Sequence, residues 1–220
     1  MLLGVDTSTA QVGLCLFDGT QVLGELTWTT RQHHTTELAP ALAELLARCD
    51  ISMEAITALG IAIGPGSFTS LRVGLSFVKG LSLARSLPVV GIPTLDILAA
   101  AQPVQKKPLI AVLQAGRGRL ALGWYRYSKK GWQAESPARV GTVDGLIGEI
   151  KSPTLIAGEL TPEERQRLSR ANIILASPAN CLRRPAMLSE LAWIRVQEGR
   201  LDDPASLAPL YLHVAGAPPA

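Results

Sequence analysis

The sequence predicts an α/β protein with mixed sheets, and three observations carry that reading. Three short strand-like runs joined by tight turns open the chain. Apolar strands then alternate with helical segments up to residue 101. The pattern restarts after a Gln-, Lys- and Pro-rich stretch at residues 102–108.

The opening strands are expected at residues 2–6, 12–17 and 21–27, with Asp18-Gly19 as the signal for a tight turn between the last two. A helix follows, with Thr35 or Thr36 as N-cap, Glu37 in its first turn and Pro40 tolerated near its start. Leu38, Leu42, Leu45 and Cys49 recur on one face of it. Residues 59–63 form a continuous apolar run, the pattern of a strand buried on both sides. A helix is expected over residues 69–85, a strand over 89–92 and a short helix over 95–101 stopped by Pro103.

The composition shift at residues 102–108 marks a domain boundary. A first domain at residues 1–103 and a smaller second domain at 104–220 follow, the last residues packing back on the first. In the second, strands are expected at 109–113, 119–127, 154–157 and 172–175, with a turn at 115–118. A helix over 185–198 begins with Pro185 and is followed by Gly199, and the Pro- and Ala-rich tail is expected to fray.

Charge is distributed unevenly. Residues 1–100 carry a net −3, residues 101–140 a net +7 and residues 141–220 a net −1. The basic block interleaves Lys106, Lys107, Arg117, Arg119, Arg126, Lys129, Lys130 and Arg139 with Trp124, Tyr125 and Tyr127. Such a block suits contact with a phosphate backbone, with Arg126, Lys129 and Lys130 as the candidate contacts, or is a solvated hairpin with ordinary surface charges. Cys15, Cys49 and Cys181 lack CxxC spacing, so neither a disulfide framework nor a zinc site is expected. The opening residues lack the basic flank of a secretory signal, and no apolar run approaches the roughly 20 residues of a membrane helix, so a cytoplasmic protein is expected.

Two turns carry chemistry-bearing residues. Asp6-Thr7-Ser8, at the end of a strand, offers a carboxylate, hydroxyls and backbone N–H groups for a metal–phosphate contact, or serves as a structural turn. Gly64-Pro65-Gly66-Ser67 leads from a buried strand into a helix, a geometry suited to an anion or to fixing the helix. It lacks the Gly-Lys-Ser/Thr of a Walker loop. The following helix carries Ser70 and Gly74 four residues apart. Small residues on one stripe let another element approach closely, either within this chain or from another, and Thr69, Ser70, Arg72, Val73, Gly74 and Phe77 form a candidate partner interface.

The run GPGSFTSLRVGLSFVKGLSLA closely resembles the signature GPGSFTGLR-x-G of the TsaB (YeaZ) family, with Ser70 where the family has glycine. The resemblance extends to VDTST, to Arg31 and His34-Thr35, to VVGIPTLDILA and to Pro209-Leu210-Tyr211-Leu212 near the end. It implies a two-domain actin-like (ASKHA) fold. It also implies a role in forming N6-threonylcarbamoyladenosine at position 37 of tRNAs that read codons starting with A. In that family the protein is not an enzyme but a non-catalytic partner of the larger paralogue TsaD, assisted by the ATPase TsaE. It reaches tRNA through that complex and is expected to homodimerise when alone.

The second domain departs from the family pattern. Leu113-Gln114-Ala115-Gly116-Arg117 stands where the family has strand-Asp-Ala-Arg, so a two-carboxylate magnesium site is not available there. No intrinsic cofactor is expected, and ATP is expected at most at a composite interface. His33, His34 and His213 do not reproduce the His-x-x-x-His pair of the catalytic paralogue, so no metal site is expected. The alternative function is an actin-like Mg-ATP-binding ATPase or kinase using Asp6 and the turn at residues 64–67.

Overall fold

A computed structural model describes residues 1–30 and 33–212; Arg31, His213 and the frayed tail expected after it lie outside the described residues. Strands β1 (Leu2–Asp6), β2 (Gln11–Phe17) and β3 (Val22–Thr29) pair antiparallel in succession. Asp18 fixes the second turn, its carboxylate accepting the backbone N–H groups of Thr20 and Gln21 at 2.7 Å each. Helix α1 (His34–Arg48) leads to β4 (Ala58–Gly64), and α2 (Phe68–Arg85) leads to β5 (Val89–Pro93). Both later strands join in parallel, which gives the order β3-β2-β1-β4-β5. Helix α3 (Thr94–Ala100) follows β5 directly.

A second sheet repeats this plan. Strands β6 (Leu109–Gln114), β7 (Leu120–Ser128) and β8 (Gly131–Ala134) pair antiparallel, and β9 (Arg139–Gly141) lies beside the start of β7. After α4 (Val143–Glu149), β10 (Thr154–Gly158) adds in parallel to β6. After α5 (Pro162–Leu168), β11 (Ile173–Leu175) adds in parallel to β10. The order β11-β10-β6-β7-β8 is therefore β5-β4-β1-β2-β3 again. Ile110, Val112, Leu120, Leu122 and Ile156 form this sheet's core with Val143, Leu146 and Leu168 of the helices.

The chain then returns to the first sheet. Helix α6 (Pro185–Gln197) begins with Pro185 as expected and packs on β1, β2 and β4. Strand alternation explains how both faces are covered. Leu3, Val5, Leu59 and Ile61 point to α1 and α2, while Leu2, Ala58 and Ala62 point to Leu188 and Ala192 of α6. Gly4 and Gly60 make the second contact close, since a Cβ on either would run into Ser189 or Ala192. Two compact units result: Met1–Ile97 with Arg184–Leu210, and Leu98–Arg183, to which Tyr211 also belongs. A linear division at 103/104 is thus replaced by one in which residues 184–210 belong to the first unit, because α6 supplies the apolar cover of its sheet.

Local differences have physical causes. Helix α1 starts at His34, two or three residues earlier than a Thr35 or Thr36 cap allows, and its N-cap His33 makes no side-chain bond. Pro40 consequently lies in the second turn of α1. The strands β8 and β9 and the helices α4 and α5 are short and lack the periodicity that the longer elements show.

Candidate functional site

The duplicated sheets place matching residues at matching strand ends. Asp6 closes β1 and Gln114 closes β6. Gly64 closes β4 with φ 116°, and Gly158 closes β10 with φ 133°. Three residues after each glycine a hydroxyl caps the next helix: Ser67 accepts from Ser70 N, and Thr161 accepts from Glu164 N. Each turn leads from a strand end into a helix N-terminus, a geometry suited to an anion.

In the first unit the two turns are locked to each other. Asp6, Thr7 and Ser8 are buried, Asp6 with 2% exposure. The Asp6 carboxylate accepts the Ser8 N–H at 2.8 Å, and the Ser8 carbonyl accepts the Ser67 N–H at 2.7 Å. The Ser8 hydroxyl bonds that of Thr94 at 2.8 Å, and Thr94 Oγ1 accepts the Gly64 N–H at 3.0 Å. Gly66 lies against the Ser8 carbonyl, where a Cβ would collide. The end of the chain closes the same place: Leu210 donates its N–H to Ile63 O at 2.7 Å and sets its carbonyl against Gly64. Thr94 had no chemical signature in the sequence, since a threonine at a strand–helix junction is common.

The corresponding place in the second unit is filled by carboxylates. Gln114 Nε2 donates to Glu164 Oε2 at 2.7 Å and to the Glu159 carbonyl at 3.2 Å. Glu164 also accepts the Thr161 N–H at 2.8 Å, completing a capping box at the start of α5. Arg183 is buried and forms an ion pair with Glu159. An anion approaching this helix start meets two carboxylates. Tested against Mg-ATP, the residues do not fit: Asp6 is enclosed by its own turn, and Gln114 is committed to Glu164. The signal for this was present in the sequence as Thr161-Pro162-Glu163-Glu164, a capping-box spacing.

Helix α2 shows two distinct faces. Ser70, Leu71, Gly74, Leu75, Val78 and Ser82 are buried against the sheet. Thr7 Oγ1 donates to the Ser70 carbonyl at 2.8 Å, and a Cβ on Gly74 would strike Thr7 Oγ1. Gly74 is therefore small because it meets Thr7 just after β1 and Ile61 of β4, and buried Ser70 and Gly74 leave the candidate partner interface. Thr69 and Arg72 are exposed, whereas Val73 and Phe77 are half-buried and Phe77 also packs against the core of the first sheet. With Phe68 and Ser76 they line a groove of about 440 Å³ whose other wall is His34, Thr35, Leu38 and Ala39 of α1. Arg72 stacks its guanidinium 3.5 Å above the Phe68 ring. The outward stripe Thr69, Val73, Ser76, Gly80 and Leu83 follows helical spacing. Leu83 is 87% exposed, and a Cβ on Gly80 would meet nothing within 4 Å. Ser76 and Leu83 escape a reading that starts from Ser70 and Gly74, since those two begin the opposite stripe.

His34 is buried at the end of this groove, its Nε2 2.9 Å from the Thr9 carbonyl. His33 lies 3.8 Å from Glu37, whose carboxyl is held below the usual range mainly by the Trp28 indole N–H. Among the described residues no three His, Cys, Asp or Glu side chains gather to hold a metal. No described helix is long and apolar enough to cross a membrane. Of the candidate tRNA contacts, Lys129 and Lys130 stand exposed at the tip between β7 and β8, whereas Arg126 is paired with Glu135 at 2.6 Å.

The sequence model of the family described as TsaD, tRNA N6-adenosine threonylcarbamoyltransferase, matches residues 21–161. The tRNA threonylcarbamoyladenosine biosynthesis protein TsaB of Bacillus subtilis (strain 168) is 28% identical over 223 aligned positions, covering 98% of this chain and 95% of that protein. Among solved structures, YeaZ from Pseudomonas aeruginosa superposes with a TM-score of 0.79 at 22% identity, covering 96% of this chain and 99% of that one. Ethanolamine utilization protein EutJ from Carboxydothermus hydrogenoformans superposes with a TM-score of 0.53 at 12% identity, covering 86% and 89%. The repeated sheet order and these likenesses make the fold actin-like, two α/β units with mixed sheets. With the family model spanning most of the chain and a TsaB sequence aligning over nearly all of it, the chain belongs to the TsaD family, in its TsaB (YeaZ) branch.

Proposed function

We propose that this chain is a non-catalytic subunit of the cytoplasmic machinery that forms N6-threonylcarbamoyladenosine at position 37 of tRNAs. It docks the catalytic TsaD protein through the outward face of α2 and the groove beside α1, with TsaE as a further component. One observation carries this reading: the outward stripe of α2 leaves Leu83 bare and runs beside an apolar groove lined by Phe68, Val73 and Phe77 of α2 and Leu38 of α1. Exposed apolar side chains beside an apolar groove are the mark of a surface that takes another protein. The interlocked turns at Asp6 and Gly66 and the carboxylates around Gln114 support a role without nucleotide chemistry in this chain. In the absence of the partner, the same stripe covers itself in a homodimer.

The test is complex formation between the full chain and TsaD, followed by size-exclusion chromatography and calorimetric titration. Val73→Glu and Ser76→Arg place charge in the groove without touching the buried stripe. Each is expected to weaken association by at least about ten-fold, about 1.4 kcal/mol. Unchanged affinity in both variants removes this face from the interface.

A further inference from the structure

We propose that one end of the second sheet, formed by the β7–β8 hairpin and the segment leading into β6, is a binding surface for the phosphate backbone of RNA. The register brings the parts together. Leu109 pairs with Tyr125, and Tyr127 and Ser128 pair with Trp132 and Gly131. Lys106 and Lys107, just before β6, therefore lie at the same sheet end as Lys129 and Lys130 in the hairpin tip. A hydrogen bond from Trp132 Nε1 to the Gln102 carbonyl, 3.2 Å long, ties the hairpin to the segment that carries the first two lysines. All four lysines are exposed.

Among the described residues none of the four lysines forms an ion pair. Residues 101–134 contain no acidic side chain, and Glu135 is held by Arg126. Elsewhere in the unit Asp144, Glu149 and Glu159 are each paired with an arginine. Arginines thus hold these four carboxylates, and Gln114 and the Thr161 N–H hold Glu164. Tyr127 is 37% exposed among them, in edge contact with Trp132 at 5.4 Å, and offers a ring face on which a base can stack. Lysines around an exposed aromatic ring fit a nucleic-acid strand better than a lipid surface, which has no use for a stacking face.

This inference rests on the reading of the chain as part of a tRNA-modifying complex. Its test is fluorescence-anisotropy titration of a labelled tRNA transcript with the full chain at 50–200 mM KCl. Four phosphate contacts at about 0.7–0.9 each give a slope of log K against log salt near −3, a loss of roughly 60-fold over that range. A chain with Lys106, Lys107, Lys129 and Lys130 all replaced by Gln is expected to lose most of the binding and most of the slope. Tyr127→Ala lowers affinity but keeps the slope, and Arg48→Gln, in the last turn of α1 in the first unit, changes neither. A circular-dichroism melt confirms that the lysine variant is folded.

Absent tRNA binding by the unaltered chain at 50 mM KCl overturns the proposal, as does a salt slope that survives the four substitutions. Tighter binding to phosphatidylserine-containing vesicles than to tRNA overturns it in favour of a membrane surface. A reconstituted modification assay keeps the two ideas apart. If modification needs this chain but the chain alone ignores tRNA, this surface fails and the subunit reading stands. If the chain binds tRNA as described but modification does not need it, the subunit reading fails.

Discussion

Replacing Gly74 by alanine tests whether α2 owes its small residues to its own sheet or to a partner. The added Cβ would collide with Thr7 Oγ1 and come within 3.2 Å of Thr7 Cβ and Ile61 Cδ1. Moving Thr7 aside strains its 2.8 Å bond to the Ser70 carbonyl. Overpacking of this kind costs about 1–3 kcal/mol, and weakening one buried hydrogen bond adds about 1 kcal/mol. The gain in helix propensity returns about 1 kcal/mol. The net expectation is a loss of about 1–3 kcal/mol, read by urea denaturation of the isolated chain. Removing the obstacle should remove the penalty: in a Thr7→Ala background, Gly74→Ala is expected to be close to neutral, a coupling of at least about 1 kcal/mol. Gly74→Ala that stabilises the chain, or that costs the same with and without Thr7, would refute the inward assignment.

Further outcomes follow from the same geometry. Gly80→Ala, where a Cβ meets nothing within 4 Å, should stabilise the isolated chain by about 0.5–1 kcal/mol through helix propensity, measured in the same denaturation. Gln114→Glu sets a carboxylate where Nε2 now lies 2.7 Å from Glu164 and should cost about 1–3 kcal/mol at neutral pH. Since like charge raises the new group's folded pKa, the deficit should shrink as pH falls towards about 4, seen as converging midpoints of variant and parent. Burial pushes the Cys15 thiol up to about 12, so a native-state thiol titration at pH 8 should find Cys49 and Cys181 and miss Cys15 until the chain is unfolded. Above the ordinary thiol range the unfolded state loses that proton first. Stability should then fall by up to about 1.4 kcal/mol per pH unit, and Cys15→Ala should remove that contribution.

The strongly patterned elements were legible in the sequence. β1 falls at its expected residues, and α2 differs from its expected span by one residue because Ser67 supplies the N-cap just before Phe68. The class of fold was legible from the alternation of strands and helices, and the family from the 64–79 run. Faces were harder. Ser70 and Gly74 read as a docking stripe because a small residue facing a sheet and one facing a partner look alike along a helix. Which it is depends on Thr7, sixty-three residues earlier. The return of α6 to the first sheet was legible only as a loose expectation, since the glycines that receive it, Gly4 and Gly60, are far away in sequence. The filling of the second strand end by Glu159, Glu164 and Arg183 is likewise a meeting of distant residues. Gln114 alone announced that something there departs from a magnesium site.

The central claim is that this chain contributes a docking surface and not nucleotide chemistry. The most direct test is tRNA threonylcarbamoylation reconstituted with TsaD and TsaE, with the unaltered chain, with Val73→Glu, with Asp6→Asn, and with no chain at all. The account predicts modification with the unaltered chain and loss of it with Val73→Glu or no chain. Asp6→Asn should keep modification wherever the folded protein is present. Full modification without the chain, or loss of modification in a folded Asp6→Asn variant that still binds TsaD, would contradict it.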